Sequence, residues 1–203
     1  KSINFKKEVD LNKYSYGRGY RVNLKKKYLT VLIHPDTKKY QENKRLVLET
    51  CKALKTIKHP IIWLWPNIDA GADLIAKSVG EFADKNKHMK FNFYKHFEPE
   101  DYLKIINGSA CLIGNSSSGI RESSYLGVPV VNIGDRQIHR ERAKNVIDVK
   151  EDYLKIRNAI NKQISKKKYK KSFLYGDGNS CKKMVKILEK IIPTSDKKFF
   201  IRN

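Results

Sequence analysis

At 203 residues with 40% hydrophobic content, the chain can bury one well-formed domain, and no run approaches the ~20 apolar residues that span a bilayer. The formal net charge of +22 comes mostly from lysines scattered over the whole length, with few arginines, which argues against a nucleic-acid partner. The opening Lys1-Ser2-Ile3-Asn4-Phe5 lacks the apolar core of a signal peptide, so a soluble, cytoplasmic protein with no membrane partner is expected.

Residues 1–27 are polar, lysine-rich and weakly patterned, Tyr16-Gly17-Arg18-Gly19-Tyr20 included, and predict no strand or helix. They read as a linker or interdomain segment, and without an initiator methionine the chain is expected to be a piece of something longer. From Tyr28 onward, apolar runs alternate with helical periodicity, the pattern of successive β and α units in a parallel sheet covered on both faces. Residues 28–33 form the first predicted strand. A helix follows over 40–57, with Leu46, Val47, Thr50, Ala53, Leu54 and Ile57 on one stripe. Residues 60–65 are the second strand, and Pro66-Asn67-Ile68-Asp69-Ala70-Gly71 turns the chain into a helix over 72–85. Residues 91–94 make a short third strand. Glu98-Pro99-Glu100-Asp101 then opens a helix with a proline and an acidic first turn.

Residues 110–113 are the fourth strand, followed by Gly114-Asn115-Ser116-Ser117-Ser118-Gly119-Ile120-Arg121-Glu122 and a helix that ends near Leu126-Gly127. Residues 128–133 form a fifth strand and 145–149 a very short sixth; helices are predicted over 151–164 and 180–192. The basic run Ser165-Lys166-Lys167-Lys168-Tyr169-Lys170-Lys171 between those helices reads as a solvated loop, and residues 193–203 as a tail. Cys51, Cys111 and Cys181 show no metal-type spacing and read as buried reduced thiols, with no metal and no cofactor expected. The fold class is therefore α/β, with a Rossmann-like parallel sheet over 28–192.

In such sheets ligands gather at the carboxyl ends of the strands, and the loops after Ile33, Trp65, Tyr94, Ile113 and Ile133 share that edge. A small-residue turn between a strand and a helix leaves backbone N–H groups unpaired, and a helix end adds partial positive charge. The amides of residues 116–119 are thus expected to hold an anion, and the site suits a diphosphate. Glu122 would repel phosphate but can accept hydrogen bonds from sugar hydroxyls. His34, stiffened by Pro35, offers a donor or a proton acceptor, or is a plain turn histidine. Asn67 can bond a nucleotide or serve its turn; Phe97 can flank a base or fill the core. Arg136 can neutralise phosphate, or the arginines of that loop can pair with Asp135 and Glu141. The turn lacks the Gly-Lys-Ser/Thr ending of a Walker loop and the GxGxxG spacing of a dinucleotide fold.

These stretches together resemble the C-terminal half of the hydrolysing UDP-N-acetylglucosamine 2-epimerases, in the branch that serves sialic acid and related sugars. The resemblance rests on Leu32-Ile33-His34-Pro35, Trp65 to Gly71, Lys95-His96-Phe97, Ile113 to Glu122, Gly127 to Gly134, Arg136-Gln137 and Tyr175-Gly176-Asp177-Gly178, in that order. It implies a GT-B type architecture, two Rossmann-like domains across a cleft, with the C-terminal one binding UDP. His34, Asn67, Phe97, Ser116, Ser117, Glu122 and Arg136 match positions that contact UDP in the family, and Ser118 and Gly119 complete the phosphate turn. Glu122 would take the ribose hydroxyls, the serines the diphosphate, and Phe97 the neighbourhood of the uracil.

The implied reaction is anti elimination of UDP across C1 and C2 of UDP-N-acetylglucosamine or a related UDP-sugar, then addition of water to give N-acetylmannosamine. No metal or nicotinamide is implied. The resemblance places the carboxylates expected to transfer protons in an N-terminal domain, with no counterpart before Tyr28, and His34 is a catalytic candidate here. The chain alone is expected to bind UDP weakly and to turn over nothing. The helix after Tyr175 is expected to lean towards the missing domain and to expose apolar surface. A UDP-sugar glycosyltransferase is the alternative within the same fold, and a basic nucleic-acid-binding module the alternative outside it. The exact sugar is not set by these residues, and oligomeric state, a homo-oligomer included, stays open.

Overall fold

The computed structural model describes residues 3–14 and 18–192, so the expected tail over 193–203 and the Tyr16-Gly17 part of the glycine-tyrosine stretch lie outside the described residues. Six strands are parallel: β2 (Leu29–Leu32), β3 (Ile61–Leu64), β4 (Phe91–Tyr94), β5 (Cys111–Gly114), β6 (Val130–Ile133) and β7 (Val146–Val149). A two-residue strand, β1 (Arg18–Gly19), lies antiparallel on β4. The sheet order is β1-β4-β3-β2-β5-β6-β7. The chain thus builds outward from β2 to β4, then returns to place β5 on the other side of β2. That reversal opens a crevice between the carboxyl ends of β2 and β5, the place where open α/β sheets hold ligands.

Side chains alternate along each strand, so one sheet feeds two cores. Leu29, Val31, Ile33, Ile61, Trp63 and Ile113 face the helices α1 (Glu42–Leu54), α2 (Ala72–Lys85) and α6 (Tyr153–Ser165), whose Leu46, Val47, Leu54, Ile75, Val79, Ile156 and Ile160 complete that layer. Leu32, Ile62, Leu64, Leu112 and Val130 face the other way, against Ile105 and Ile106 of α3 (Pro99–Gly108) and Leu126. Helices cover both faces, as the alternation of apolar runs requires.

Three sequence expectations change. Residues before Tyr28 carry structure: besides β1, Leu11–Lys13 form a single 3₁₀ turn capped by Asp10, Val22 is buried, and Leu11, Tyr14 and Leu24 pack on the second core. The apolar residues there are spaced too irregularly to signal it. The helix after the serine turn is two short pieces, α4 (Ser117–Ile120) and α5 (Glu122–Leu126), broken at Arg121, where the Ser124 hydroxyl bonds the Arg121 carbonyl at 2.7 Å. Cys51 and Cys111 are buried, but Cys181 is exposed because α7 (Ser180–Leu188) buries no side chain. Met184, Val185, Ile187 and Leu188 stand in solvent on α7, as do Ile191 and Ile192 just beyond it. Among the described residues no helix is long and apolar enough to cross a membrane.

Candidate functional site

The crevice is narrow at its base because Gly114, at φ +137°, lies against β2 so closely that a Cβ there would meet the Leu32 carbonyl oxygen at 2.0 Å. The next residue, Asn115, is 1% exposed and holds three loops. His34 donates its main-chain N–H to Asn115 Oδ1 at 2.7 Å, and Asn115 Nδ2 donates back to the His34 carbonyl at 2.8 Å. The Asn115 carbonyl accepts from Gln137 Nε2 at 2.9 Å and from Arg136 Nη1 at 3.3 Å. From α1, Asn43 performs a matching double bond on Asp36, at 2.8 and 3.1 Å, so the His34-Pro35-Asp36 turn is tied at both ends.

His34 is buried at the crevice wall, and the Asn67 main-chain N–H reaches its Nδ1 at 3.5 Å. Burial, with the Arg136 charge adding to it and Asp69 opposing, pushes the imidazole down to about 4. The ring is therefore neutral at pH 7, with Nδ1 as acceptor and the proton on Nε2, a hydrogen-bond donor. Asn67 itself is exposed above the ring.

The serine turn differs from expectation in its amides. Ser116 caps α4: its Oγ accepts from Ser118 N–H at 3.3 Å and its carbonyl from Gly119 N–H at 3.1 Å. Two of the four amides are thus committed within the turn, and among the described residues only those of Ser116 and Ser117 make no hydrogen bond. Helix α4 is also too short to add much field. Gly119 is buried against Val130 and serves packing. Ser117 and Ser118 are half-buried at the rim.

Glu122 is half-buried, and its Oε2 is buried with no hydrogen-bond partner among the described residues. Tyr102 from α3 stands beside it: burial lifts the phenol to about 12, with Ser118 opposing and the Glu122 carboxylate adding. Sequence reasoning passed over Tyr102; its place on the inner face of α3, four residues before Ile106, was the available signal. Asn115 and Gln137 were also missed as site residues, since their partners are far away in sequence.

Phe97 takes the core alternative. Its ring is buried between Tyr14, edge-on at 4.6 Å, and Tyr94 at 4.7 Å, leaving no face for a base. Its main-chain N–H and carbonyl make no hydrogen bond among the described residues and remain at the rim. Arg136 does not take the pairing alternative: Asp135 pairs with Lys39 at 3.2 Å, Arg142 pairs with Asp148 at 3.1 Å, and Arg136 is in no ion pair among the described residues. Among those residues no group of three or more His, Cys, Asp or Glu side chains is placed to hold a metal ion.

A reversed sheet order, helices on both faces and polar loops gathered at one strand edge define a Rossmann-like α/β domain of the GT-B kind. Residues 4–189 match the family model for UDP-N-acetylglucosamine 2-epimerase. The chain belongs to that family. It is 32% identical over 176 residues to a UDP-N,N'-diacetylbacillosamine 2-epimerase (hydrolyzing) of Legionella pneumophila, a match covering 87% of this chain and 46% of that protein. It is 40% identical over 129 residues to the polysialic acid biosynthesis protein P7 of Escherichia coli, covering 63% of this chain and 32% of that one. In fold it matches the crystal structure of UDP-GlcNAc 2-epimerase from Neisseria meningitidis bound to UDP-GlcNAc, with a TM-score of 0.64 and 15% identity over 81% of this chain and 45% of that one. The chain spans less than half the length of each of these relatives.

Proposed function

We propose that this chain is the UDP-binding half of a hydrolysing UDP-N-acetylglucosamine 2-epimerase, taking UDP-N-acetylglucosamine or a related UDP-sugar. The observation that carries the reading is the gathering around Asn115 of a neutral His34 Nε2–H donor, the Ser116 and Ser117 amides, which make no hydrogen bond among the described residues, and the Arg136 guanidinium, in no ion pair among them. All are donors, and the rim suits a diphosphate. Glu122, with a buried oxygen lacking a donor, suits a ribose hydroxyl, and the free main-chain groups of Phe97 suit the hydrogen-bonding edge of a base. Asn67, whose main-chain N–H meets His34 Nδ1, and Ser118, in the same turn as Ser116 and Ser117, complete the set.

In this reading the domain stabilises the departing nucleotide. Elimination removes the C2 proton and breaks the C1–O bond, so negative charge grows on the diphosphate. Fixed donors aimed there lower the barrier more than they tighten ground-state binding. Water then adds across the double bond, its hydroxyl at C1 and a proton at C2 on the face opposite the one first lost, releasing N-acetylmannosamine or its analogue. His34, neutral and hydrogen-bonded through Nδ1, fits the role of donor to the leaving group better than that of base. We assign the proton transfers at C2 to a domain beyond this chain, and the chain alone to binding without turnover.

The test is calorimetric titration of UDP, with Arg136→Ala and Glu122→Ala alongside. Loss of a charge-assisted hydrogen bond is expected to cost about 1.5–3 kcal/mol of binding in the Arg136 variant. Undiminished UDP affinity in both variants would end the reading, and release of N-acetylmannosamine from UDP-N-acetylglucosamine by this chain would refute its inactivity.

A further inference from the structure

We propose that Asn115 and Gln137 are positioning residues, a buried relay that aims His34 and Arg136 into the crevice without touching ligand themselves. The inference rests on the UDP reading of the site and deepens it. The last main-chain register pair of β2 and β5 is Leu32 with Gly114. Beyond it, the Asn115 amide bonds both the N–H and the carbonyl of His34, so a side chain continues the ladder where the two strands part. This fixes the main chain of His34 on the crevice side of the turn, while Asn43 fixes Asp36 beyond Pro35. With both ends tied, the imidazole has little freedom other than ring rotation. The Asn67 N–H at Nδ1 restricts that too.

Gln137 supplies the other end of the relay. Its Nε2 holds the Asn115 carbonyl from the loop after β6, the same carbonyl on which Arg136 rests. Gln137 is 3% exposed, and its Oε1 is buried with no partner among the described residues. A half-satisfied buried amide costs stability. An apolar side chain of that size would fill the space without the cost, so stability alone does not account for a glutamine. Its one hydrogen bond, to Asn115, does. The bond keeps the loops after β5 and β6 at a fixed separation, and with them the distance between Arg136 and the His34 ring.

The experiment uses the full chain, its Asn115→Ala and Gln137→Ala variants, and each combined with His34→Ala/Arg136→Ala. Two readings are taken: UDP affinity by calorimetry, and the His34 titration midpoint by NMR of the imidazole, whose charged neighbours are Arg136 and Asp69. The single variants are expected to lose about 10-fold in UDP affinity, and less than about two-fold in the His34/Arg136 double background, because the groups they position are gone. The His34 midpoint is expected to rise from about 4 towards the free value as the ring loosens into water. Gln137→Ala removes one hydrogen bond and keeps the turn, so it carries the test if Asn115→Ala does not fold. Wild-type affinity in the folded variants, or losses of equal size in the double background, would overturn the relay. Should the wild-type chain bind no UDP, the nucleotide reading falls, and the His34 midpoint alone decides for or against the relay.

Discussion

A methyl group placed on Gly119 would stand 3.0 Å from Val130 Cγ1, which shows how closely the serine turn lies on β6. Gly119→Ala is therefore expected to cost about 1–3 kcal/mol as an overpacked contact. Urea denaturation measures it, and UDP affinity should follow stability rather than fall to zero. A loss of binding with stability unchanged would show that Gly119 meets the ligand.

The depressed basicity of His34 predicts a pH dependence. Folding lowers its pKa from 6.5 to about 4, so the unfolded chain binds the proton more readily. The contribution to stability is whole above about pH 6.5, declines as pH falls, and is gone below about 4, an amount on the order of 3 kcal/mol. Comparing wild type with His34→Gln across that window isolates it, since the variant should lack this slope. UDP should take up a proton on binding near pH 5, because a diphosphate beside the ring favours the imidazolium; calorimetry in two buffers of different ionisation enthalpy reads this directly.

Glu122 separates binding from stability. Its Oε2 is buried with no hydrogen-bond partner among the described residues, so Glu122→Gln, which keeps the shape of the side chain, is expected to leave stability within about 0.5 kcal/mol of wild type. The same change should weaken UDP if the carboxylate accepts from ribose hydroxyls. Affinity should fall with the melting temperature little changed, and undiminished affinity would remove Glu122 from the site.

Replacing Met184, Val185, Ile187 and Leu188 together by Ser should leave the unfolding free energy within about 0.5 kcal/mol of the wild-type chain, because α7 buries no side chain. The substituted chain is expected to be less prone to self-association, which sedimentation can follow. A large drop in stability would mean that the helix has a docking site on this domain. The sequence expectation that this helix leans on a further domain stands as a proposal, consistent with a chain that covers 46% of its Legionella relative.

Period and punctuation made the sheet readable: β2 to β7 fall within the predicted strands except for Gly114, one residue past the predicted end of β5, because buried parallel strands are short apolar runs closed by polar loops. The edge where the site gathers followed from the same pattern. What could not be read was how polar groups pair across distance. Asn115 and His34 are 81 residues apart in sequence and joined by two hydrogen bonds, and no local signal marks such a pair. The serine turn was legible as a turn. That the Ser118 amide would be bonded within it depends on the rotamer of Ser116, which composition does not set. Phe97 illustrates the remaining gap: one aromatic beside a strand end more often fills a core but can flank a base, and Tyr14, from a segment without clear pattern, decides for the core.

The missing side chain at position 114 has a mechanical meaning. Because the Leu32 carbonyl occupies the space where any β-carbon would go, the width of the crevice at its base is set by main chain lying on main chain rather than by loop side chains. A guest entering there meets a mouth already cut to width, so little of its binding energy is spent on narrowing the gap.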